Sequence, residues 1–122
     1  EQVAAGTKHT PLIAAGETTV TVRGPGRGGR CQELALAAAL DMLPDERLTV
    51  LAAGTDGTDG PTDAAGAIVD ATSVPRGAAA GADARRALDD NDAYAFLGAS
   101  GDLLVTGPTN TNLLDLYLVL RS

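Results

Sequence analysis

Arg23-Gly24-Pro25-Gly26-Arg27-Gly28-Gly29-Arg30, here called the glycine loop, stands between two segments of different periodicity. Before it, residues 18–22 alternate threonine with valine, which is the period of a β-strand. After it, residues 32–42 are a run of helix formers that stops before Pro44, so we predict a helix that starts near Arg30. Glycines allow the close backbone approach that a tight connection or a bound ligand requires.

The remaining elements are predicted from shorter runs. The expected strands are residues 11–15, 48–53 and 103–105, and the expected helices are residues 83–90 and 92–97. Asp92 is the expected cap of the second of these helices, and residues 72–81, rich in small side chains, predict a loop. Residues 64–70 and 113–120 each fit a helix or a strand. The predicted fold class is α/β, a single domain with a mixed β-sheet flanked by helices.

Length and composition limit the class of protein. The 122 residues, 44% of them hydrophobic, suit one domain with one core. The formal net charge of −7 makes nucleic acid and anionic membrane surfaces unfavourable partners. The sequence shows neither a signal peptide nor a membrane span, and its single cysteine agrees with a reducing cytoplasm, where we expect the protein. Because no initiator methionine is present, we expect residues 1–10 to be the tail of an upstream segment.

The acidic loop, Gly54-Thr55-Asp56-Gly57-Thr58-Asp59-Gly60-Pro61-Thr62-Asp63, follows the strand predicted at residues 48–53. Ligands often bind at the carboxyl ends of strands. The spacing of the three aspartates does not fit an EF-hand, but Mg²⁺ held by one or two carboxylates and a substrate phosphate is compatible with it. The alternative is that these side chains cap turns and a following helix.

The glycine loop concentrates positive charge in an acidic protein. The amides of a helix start, with Gly26, Gly28 and Gly29 before it, predict an anion site that the three arginines reinforce. The alternative is a solvated turn with surface arginines. The loop also satisfies the dinucleotide pattern G-x-G-x-x-G, but Pro25 removes a backbone donor and the preceding strand is half polar, so a nicotinamide site is the weaker reading.

Several catalytic classes are excluded by composition. Lys8 is the only lysine and follows no Walker-type loop, so this domain alone does not match a P-loop kinase. His9, the only histidine, stands in a terminal segment where exposure to solvent is the simplest reading, and it has only one cysteine to accompany it, so the sequence indicates neither a Ser-His-Asp triad nor a zinc site. Cys31 stands beside Arg30 at a helix start, an environment that lowers a thiol pKa. The alternative is a packed cysteine without a chemical role.

Residues 16–22, 24–33, 52–66 and 101–111 resemble, in order, the motifs of the MOFRL domain. This is the carboxyl-terminal domain of class II glycerate 2-kinases, a family of which parts have been labelled hydroxypyruvate reductases. The chain departs from the family pattern at three positions, with Ala15 and Asn110 where glycine is usual and Cys31 where asparagine is usual. If position 110 requires a positive φ, asparagine tolerates it better than most residues.

The resemblance implies a two-domain enzyme that transfers the γ-phosphoryl group of ATP to the 2-hydroxyl of D-glycerate with a divalent cation, usually Mg²⁺. It implies an active site between this domain and a larger amino-terminal nucleotide-binding domain, which these residues lack. The isolated domain is then expected to be inactive, to bind no cofactor tightly, and to self-associate through the surface left exposed.

The resemblance and the anion-site pattern mark the candidate site residues. Arginines would neutralise phosphoryl or carboxylate charge, and the acidic loop would form a companion wall of the cleft. The candidate catalytic residues are Arg27, Arg30 and Asp56. The candidate substrate- or phosphate-binding residues are Arg23, Gly26, Gly28, Gly29, Thr55, Gly57 and Asp59. The metal ligands are not assigned. A second hypothesis is a non-catalytic anion-binding or interaction module with the same fold.

Overall fold

The computed structural model describes residues 12–16, 24–112 and 114–121. Within them the elements follow the order β1 Leu12–Gly16, α1 Arg30–Asp41, β2 Leu48–Gly54, β3 Gly66–Asp70, α2 Ser73–Ala79, α3 Ala84–Asp89, α4 Ala93–Ser100, β4 Leu103–Leu104 and β5 Asp115–Arg121. The strand predicted at residues 18–22, Arg23 and residues 1–10 lie outside the described residues. No helix among the described residues is long and apolar enough to cross a membrane.

The described strands form one sheet in the order β1-β5-β2-β3-β4. The predicted single α/β domain with a sheet flanked by helices is confirmed, and all four described pairings are antiparallel rather than mixed. The acidic loop joins β2 to β3 as the connection of an antiparallel pair, which needs no crossover helix. Strand β2 lies in the middle of the sheet, as its apolar sequence predicts.

Small side chains hold α1 close to the sheet. Helix α1 packs on β2 and β3, and its core-facing residues are mostly alanine and leucine. Because side chains alternate along a strand, one face of the sheet supplies the core. The buried core residues of α1 and these two strands include Ala35, Leu36, Ala39, Val50, Ala52, Ala67 and Val69. This one core fixes the ends of β2 and α1, where both charged loops begin or end.

The structure settles or corrects three predictions. Residues 64–70, which fit either element, contain strand β3. The loop predicted at residues 72–81 is wrong, because helix α2 occupies most of it: Pro75 lies in the first turn, where an amide donor is not needed, and alanines follow. Asp92 precedes α4 but its side chain does not cap it, since that carboxylate accepts a hydrogen bond from the glycine loop instead.

We predict opposite effects from two glycine-to-alanine changes in neighbouring helices. A Cβ on Gly77 would overlap the ring of Phe96, which is 1% exposed, so Gly77→Ala should destabilise the domain by about 1–3 kcal/mol through overpacking. Gly98 has only Leu103 near its Cβ position, so Gly98→Ala should stabilise the domain by about 0.5–1 kcal/mol through helix propensity. Urea unfolding of both variants measures the difference. Equal effects would contradict the packing of α2 on α4.

Candidate functional site

Glycines bring the two charged loops into direct backbone contact. A Cβ on Gly29 would overlap the carboxylate of Asp59, and a Cβ on Gly60, whose φ is 61°, would overlap the carbonyl of Gly28. The other two glycines of the dinucleotide pattern also make close contacts within the protein. Gly24 lies against the backbone of Asp90, and Gly26 lies against Asp92 and the carbonyl of Asp90. Close approach to a pyrophosphate is not what these positions serve.

The carboxylate of Asp59 caps helix α1 from the acidic loop. It accepts hydrogen bonds from the amides of Cys31 (3.0 Å) and Gln32 (2.8 Å) and is 2% exposed. The residue at the N-cap position, Gly29, has no side chain to do this. A negative charge at this end also interacts favourably with the helix dipole. Asp59, a candidate binding residue, thus lies inside the molecule, and two of the helix-start amides are occupied by the protein itself.

The buried side-chain amide of Gln32 and the hydroxyl of Thr62 add further hydrogen bonds between α1 and the acidic loop. The Nε2 atom of Gln32 donates to the hydroxyl of Thr62 at 3.0 Å and to the carbonyl of Asp59 at 3.3 Å. The Thr62 hydroxyl donates to the same carbonyl at 2.8 Å. The sequence analysis did not identify Gln32 or Thr62. Gln32 is a polar residue on the otherwise apolar buried face of α1, and this was the available signal.

Arg30 is anchored by a residue that sequence reasoning missed. Its Nε and Nη2 atoms contact the two carboxylate oxygens of Asp115 at 2.5 and 2.9 Å. The Asp115 side chain is fully buried, whereas 34% of the Arg30 side chain remains exposed. The Tyr117 hydroxyl also donates to Asp115 at 3.0 Å. A lone acid in the apolar run 113–120 was the available signal.

The contacts around Arg30 set the protonation states of Asp115 and Cys31. Burial alone would raise the pKa of Asp115, but hydrogen bonds from Arg30 and Tyr117 and the charge of Arg30 hold that pKa below its ordinary value. Burial, followed by the charges of Asp59 and Asp115, strongly raises the pKa of the Cys31 thiol. The environment expected to lower that thiol pKa is therefore not found. Cys31 is a buried core residue, as its alternative reading held.

Arg27 lies on the surface, supported by an aromatic ring. Its guanidinium carbon is 4.6 Å from the ring centroid of Tyr94, and its Nη2 is 3.5 Å from the carbonyl of Pro61. The Tyr94 hydroxyl donates to Asp63 at 2.7 Å, which raises the pKa of the tyrosine. Cation–π contact restricts the arginine without neutralising it. Among the described residues, Arg27 makes no ion pair with a carboxylate.

The turn between α3 and α4 clamps the glycine loop. The amide of Gly24 donates to the side chain of Asn91 at 3.0 Å, and the amide of Gly26 donates to the carbonyl of Asp90 at 2.9 Å. The amide of Arg27 donates to the carboxylate of Asp92 at 2.9 Å. Asn91 adopts a positive φ of 55°, which asparagine tolerates. These three hydrogen bonds hold the glycine loop against the turn.

The acidic loop also packs against residues 106–112 and against Leu114. The amide and hydroxyl of Thr55 donate to the carbonyl of Leu114 at 3.0 and 2.7 Å. The Thr109 hydroxyl donates to the Thr55 carbonyl, and a Cβ on Gly57, whose φ is 91°, would overlap the carbonyl of Gly107. Asn110 has the positive φ (61°) considered for that position.

Although the backbone of the acidic loop is packed here, the side chain of Asp56 is exposed to solvent. It accepts a hydrogen bond from the amide of Thr58 at 3.0 Å. Asp56 is therefore the acidic-loop candidate that the structure leaves accessible, in contrast to Asp59.

The residues that could contact a ligand are fewer than the sequence indicated. The amide of Gly26 is taken, but those of Gly28 and Gly29 donate to no group in the described part of the chain. No group of three or more histidine, cysteine or acidic side chains that could hold a metal occurs among the described residues. Of the three aspartates of the acidic loop, Asp59 caps α1 and Asp63 accepts a hydrogen bond from the Tyr94 hydroxyl.

Loss of the Asp59 carboxylate should separate the two loops. Asp59→Ala leaves two buried amides unsatisfied, so we predict a loss of about 2 kcal/mol or more in the free energy of unfolding. The control is Asp56→Ala, which removes an exposed carboxylate with one local hydrogen bond and should cost less than about 1 kcal/mol. Urea unfolding measures both. Equal losses would show that Asp59 is no more important than a surface turn residue.

The buried Asp115 should make stability depend on pH below neutrality. Because its folded pKa is depressed, its contribution is complete above the unfolded-state value of about 3.9 and is lost as the pH falls through the lower folded value. Asp115→Asn should therefore show a shallower fall in unfolding free energy between about pH 5 and pH 2 than the unmodified protein. Tyr117→Phe removes one donor and should show a smaller change of the same sign. Identical slopes would contradict the ionised pair.

The sequence of this chain is similar to a family of known proteins. A model of the MOFRL family matches residues 10–115. The D-glycerate 2-kinase of Thermotoga maritima is 52% identical over 111 residues, which are 91% of this chain and 27% of that protein. The glycerate 2-kinase of Pyrococcus horikoshii is 44% identical over 110 residues, which are 89% of this chain and 25% of that protein.

The fold agrees with the sequence comparison. The crystal structure of glycerate kinase from T. maritima superimposes with a TM-score of 0.89 at 51% identity, covering 93% of this chain and 27% of that chain. The chain thus spans about a quarter of the length of the curated relatives it matches. It belongs to the MOFRL family, and its homologues include glycerate 2-kinases, which carry this domain at their carboxyl terminus.

Proposed function

We propose that this domain forms one wall of the interdomain cleft of a glycerate 2-kinase. There the γ-phosphoryl group of ATP is transferred to the 2-hydroxyl of D-glycerate, giving 2-phosphoglycerate. The observation that carries the proposal is a pair of arginines that Asp115 and Tyr94 hold on the surface of the glycine loop. Family membership supports the reaction, and the length of the relatives supports a larger nucleotide-binding domain that completes the cleft.

Arg27 is the residue we propose to supply positive charge to the transferring group. Phosphoryl transfer depends on positioning and on neutralising charge at the phosphoryl oxygens. Arg27 is exposed, stands over Tyr94 and makes no described ion pair, so its charge is not cancelled locally. Arg30 is different, because its contact with Asp115 makes the pair neutral overall. We assign Arg30 the role of a fixed hydrogen-bond donor to substrate carboxylate or phosphate.

Backbone amides are the second part of the proposed anion site. Gly28 and Gly29 precede α1, and their amides donate to no described group, so they offer two donors beside Arg27. Gly26 contributes through its fit against Asp92 and not through its amide. Arg23, which we retain as a phosphate-binding candidate, lies outside the described residues. Within the described loops the site is therefore small, with two amides and two arginine side chains.

The acidic loop forms the other side of the proposed wall. Thr55 contacts Leu114, and Gly57 contacts Gly107. Asp59 positions the loop through its hydrogen bonds to the start of α1. Asp56 is the exposed carboxylate that we propose to face the substrate. Mg²⁺ would enter with ATP, and the nucleotide and the larger domain would supply most of its ligands. The single buried thiol agrees with a reducing cytoplasm, our proposed compartment.

The test is a kinase assay of the full-length protein that contains this domain, with alanine variants of both arginines. We expect Arg27→Ala to lower kcat for ATP-dependent glycerate phosphorylation by roughly a hundredfold or more. Arg30→Ala should lower kcat/KM through weaker substrate binding, and Arg30→Lys should restore only part of it, since lysine cannot reproduce the two contacts to Asp115.

Arg121→Ala is the matched control. Arg121 is exposed at the far end of β5, about 20 Å along the strand from Asp115, and should leave activity unchanged. Full activity in both Arg27→Ala and Arg30→Ala would remove the catalytic assignment. Phosphate binding by the full-length protein without any glycerate phosphorylation would instead favour a non-catalytic anion-binding module.

A further inference from the structure

The face of the sheet opposite α1 is apolar and uncovered by the described residues. Its large side chains are 62% exposed at Ile13, 39% at Ile68, 37% at Leu116 and 40% at Leu120. Leu51 and Leu118 lie between them and are half-buried. We call these six residues the uncovered sheet face. Alternation along the strands puts them opposite the core residues Val50, Ala52, Ala67 and Val69.

The strand register aligns these side chains into a continuous surface. Ile13, Leu118, Leu51 and Ile68 stand directly opposite one another across β1, β5, β2 and β3. The next row on the same face is Ala15, Leu116, Ala53 and Gly66. Neither of these two rows contains a polar side chain, whereas the row on the other side of the first, which holds Leu120, also holds Thr49 and Asp70. Ala53 and Gly66 of the second row are themselves buried, so the exposed apolar surface consists of the first row together with Ala15, Leu116 and Leu120.

A sheet face of this composition is built to be covered. An antiparallel strand with one solvated face shows polar residues at every second position. Strand β5 instead has leucine at positions 116, 118 and 120, which alternate with the inward Tyr117 and Val119. Contiguous apolar surface of this kind marks an interaction site in soluble proteins.

We infer that the uncovered sheet face is the docking surface for the larger domain of the same polypeptide. The inference rests on the proposed function for the existence of that domain, and the roughly fourfold greater length of the relatives supports it. A covalently attached domain is present at high effective concentration. A second copy is a poorer occupant, because each copy carries a formal charge of −7 and like charges would oppose pairing.

The docking surface is continuous with the candidate site. Leu116, on the uncovered face, directly follows Asp115, whose carboxylate holds Arg30 on the other side of the sheet. Leu114, the residue before it, is 50% exposed, and its carbonyl accepts from Thr55 of the acidic loop. A single neighbour seated on this face therefore also borders the loops. The apolar contact would set the position of the cleft wall.

Hydroxyl-radical footprinting of the full-length protein tests the inference directly. Leu43 is 62% exposed just beyond α1 and serves as the internal reference. Because a buried side chain exposes less than about 5% of its surface, Leu116, Leu120 and Ile68 should be labelled roughly tenfold more slowly than Leu43. Labelling at a rate close to that of Leu43 would overturn the inference.

The other outcomes separate the occupants and the underlying proposal. Slow labelling that is lost on dilution, as dimers dissociate, would assign the face to a second copy and overturn the inference. Because footprinting reads burial and not catalysis, slow labelling in a protein without glycerate phosphorylation would keep the docking surface and remove the proposed activity. An active kinase with a fully labelled face would remove the docking surface alone. Leu120→Asp should lower the Tm of the full-length protein, whereas Leu43→Asp should not.

Discussion

The buried carboxylate of Asp59 at the amino terminus of α1 is the contact on which the rest of the site depends. It lies 27 positions from the nearer amide it accepts from, that of Gln32, so it joins parts of the chain that are far apart in sequence. A buried carboxylate is costly unless it is fully hydrogen-bonded, and here two amides and the helix dipole compensate it. This carboxylate therefore joins the acidic loop to the end of the glycine loop.

This arrangement changes what the glycines and the helix start mean. A glycine-rich loop before a helix is the usual form of a phosphate site, but here an aspartate already occupies two amides of the first helical turn. The glycines at 29 and 60 are needed because the two loops touch through their backbones. In the site we propose, charge for a ligand would come from the arginine side chains and from the amides just before the helix. Asp115 and Tyr94 then hold those arginines in place.

The sequence predicted the elements with strong local signals and the family with its motifs. Helix α1 and strand β2 were predicted because helix formers and a buried apolar run leave little ambiguity. Helix α2 was missed because Pro75 and small residues resemble a loop, whereas packing of Gly77 against Phe96 favours the helix. The roles of Asp59 and Asp115 could not be predicted, since each acts through a partner distant in sequence.

Amide hydrogen exchange at Cys31 and Gln32, followed by NMR in the absence of any ligand, tests this account most directly. If Asp59 caps the helix permanently, both amides exchange as slowly as those in the middle of α1, and added phosphate or ATP leaves their rates unchanged. Rapid exchange in the free protein that slows only when phosphate or ATP is added would contradict it. Those amides would then belong to the ligand, and the loops would be joined by binding rather than by Asp59.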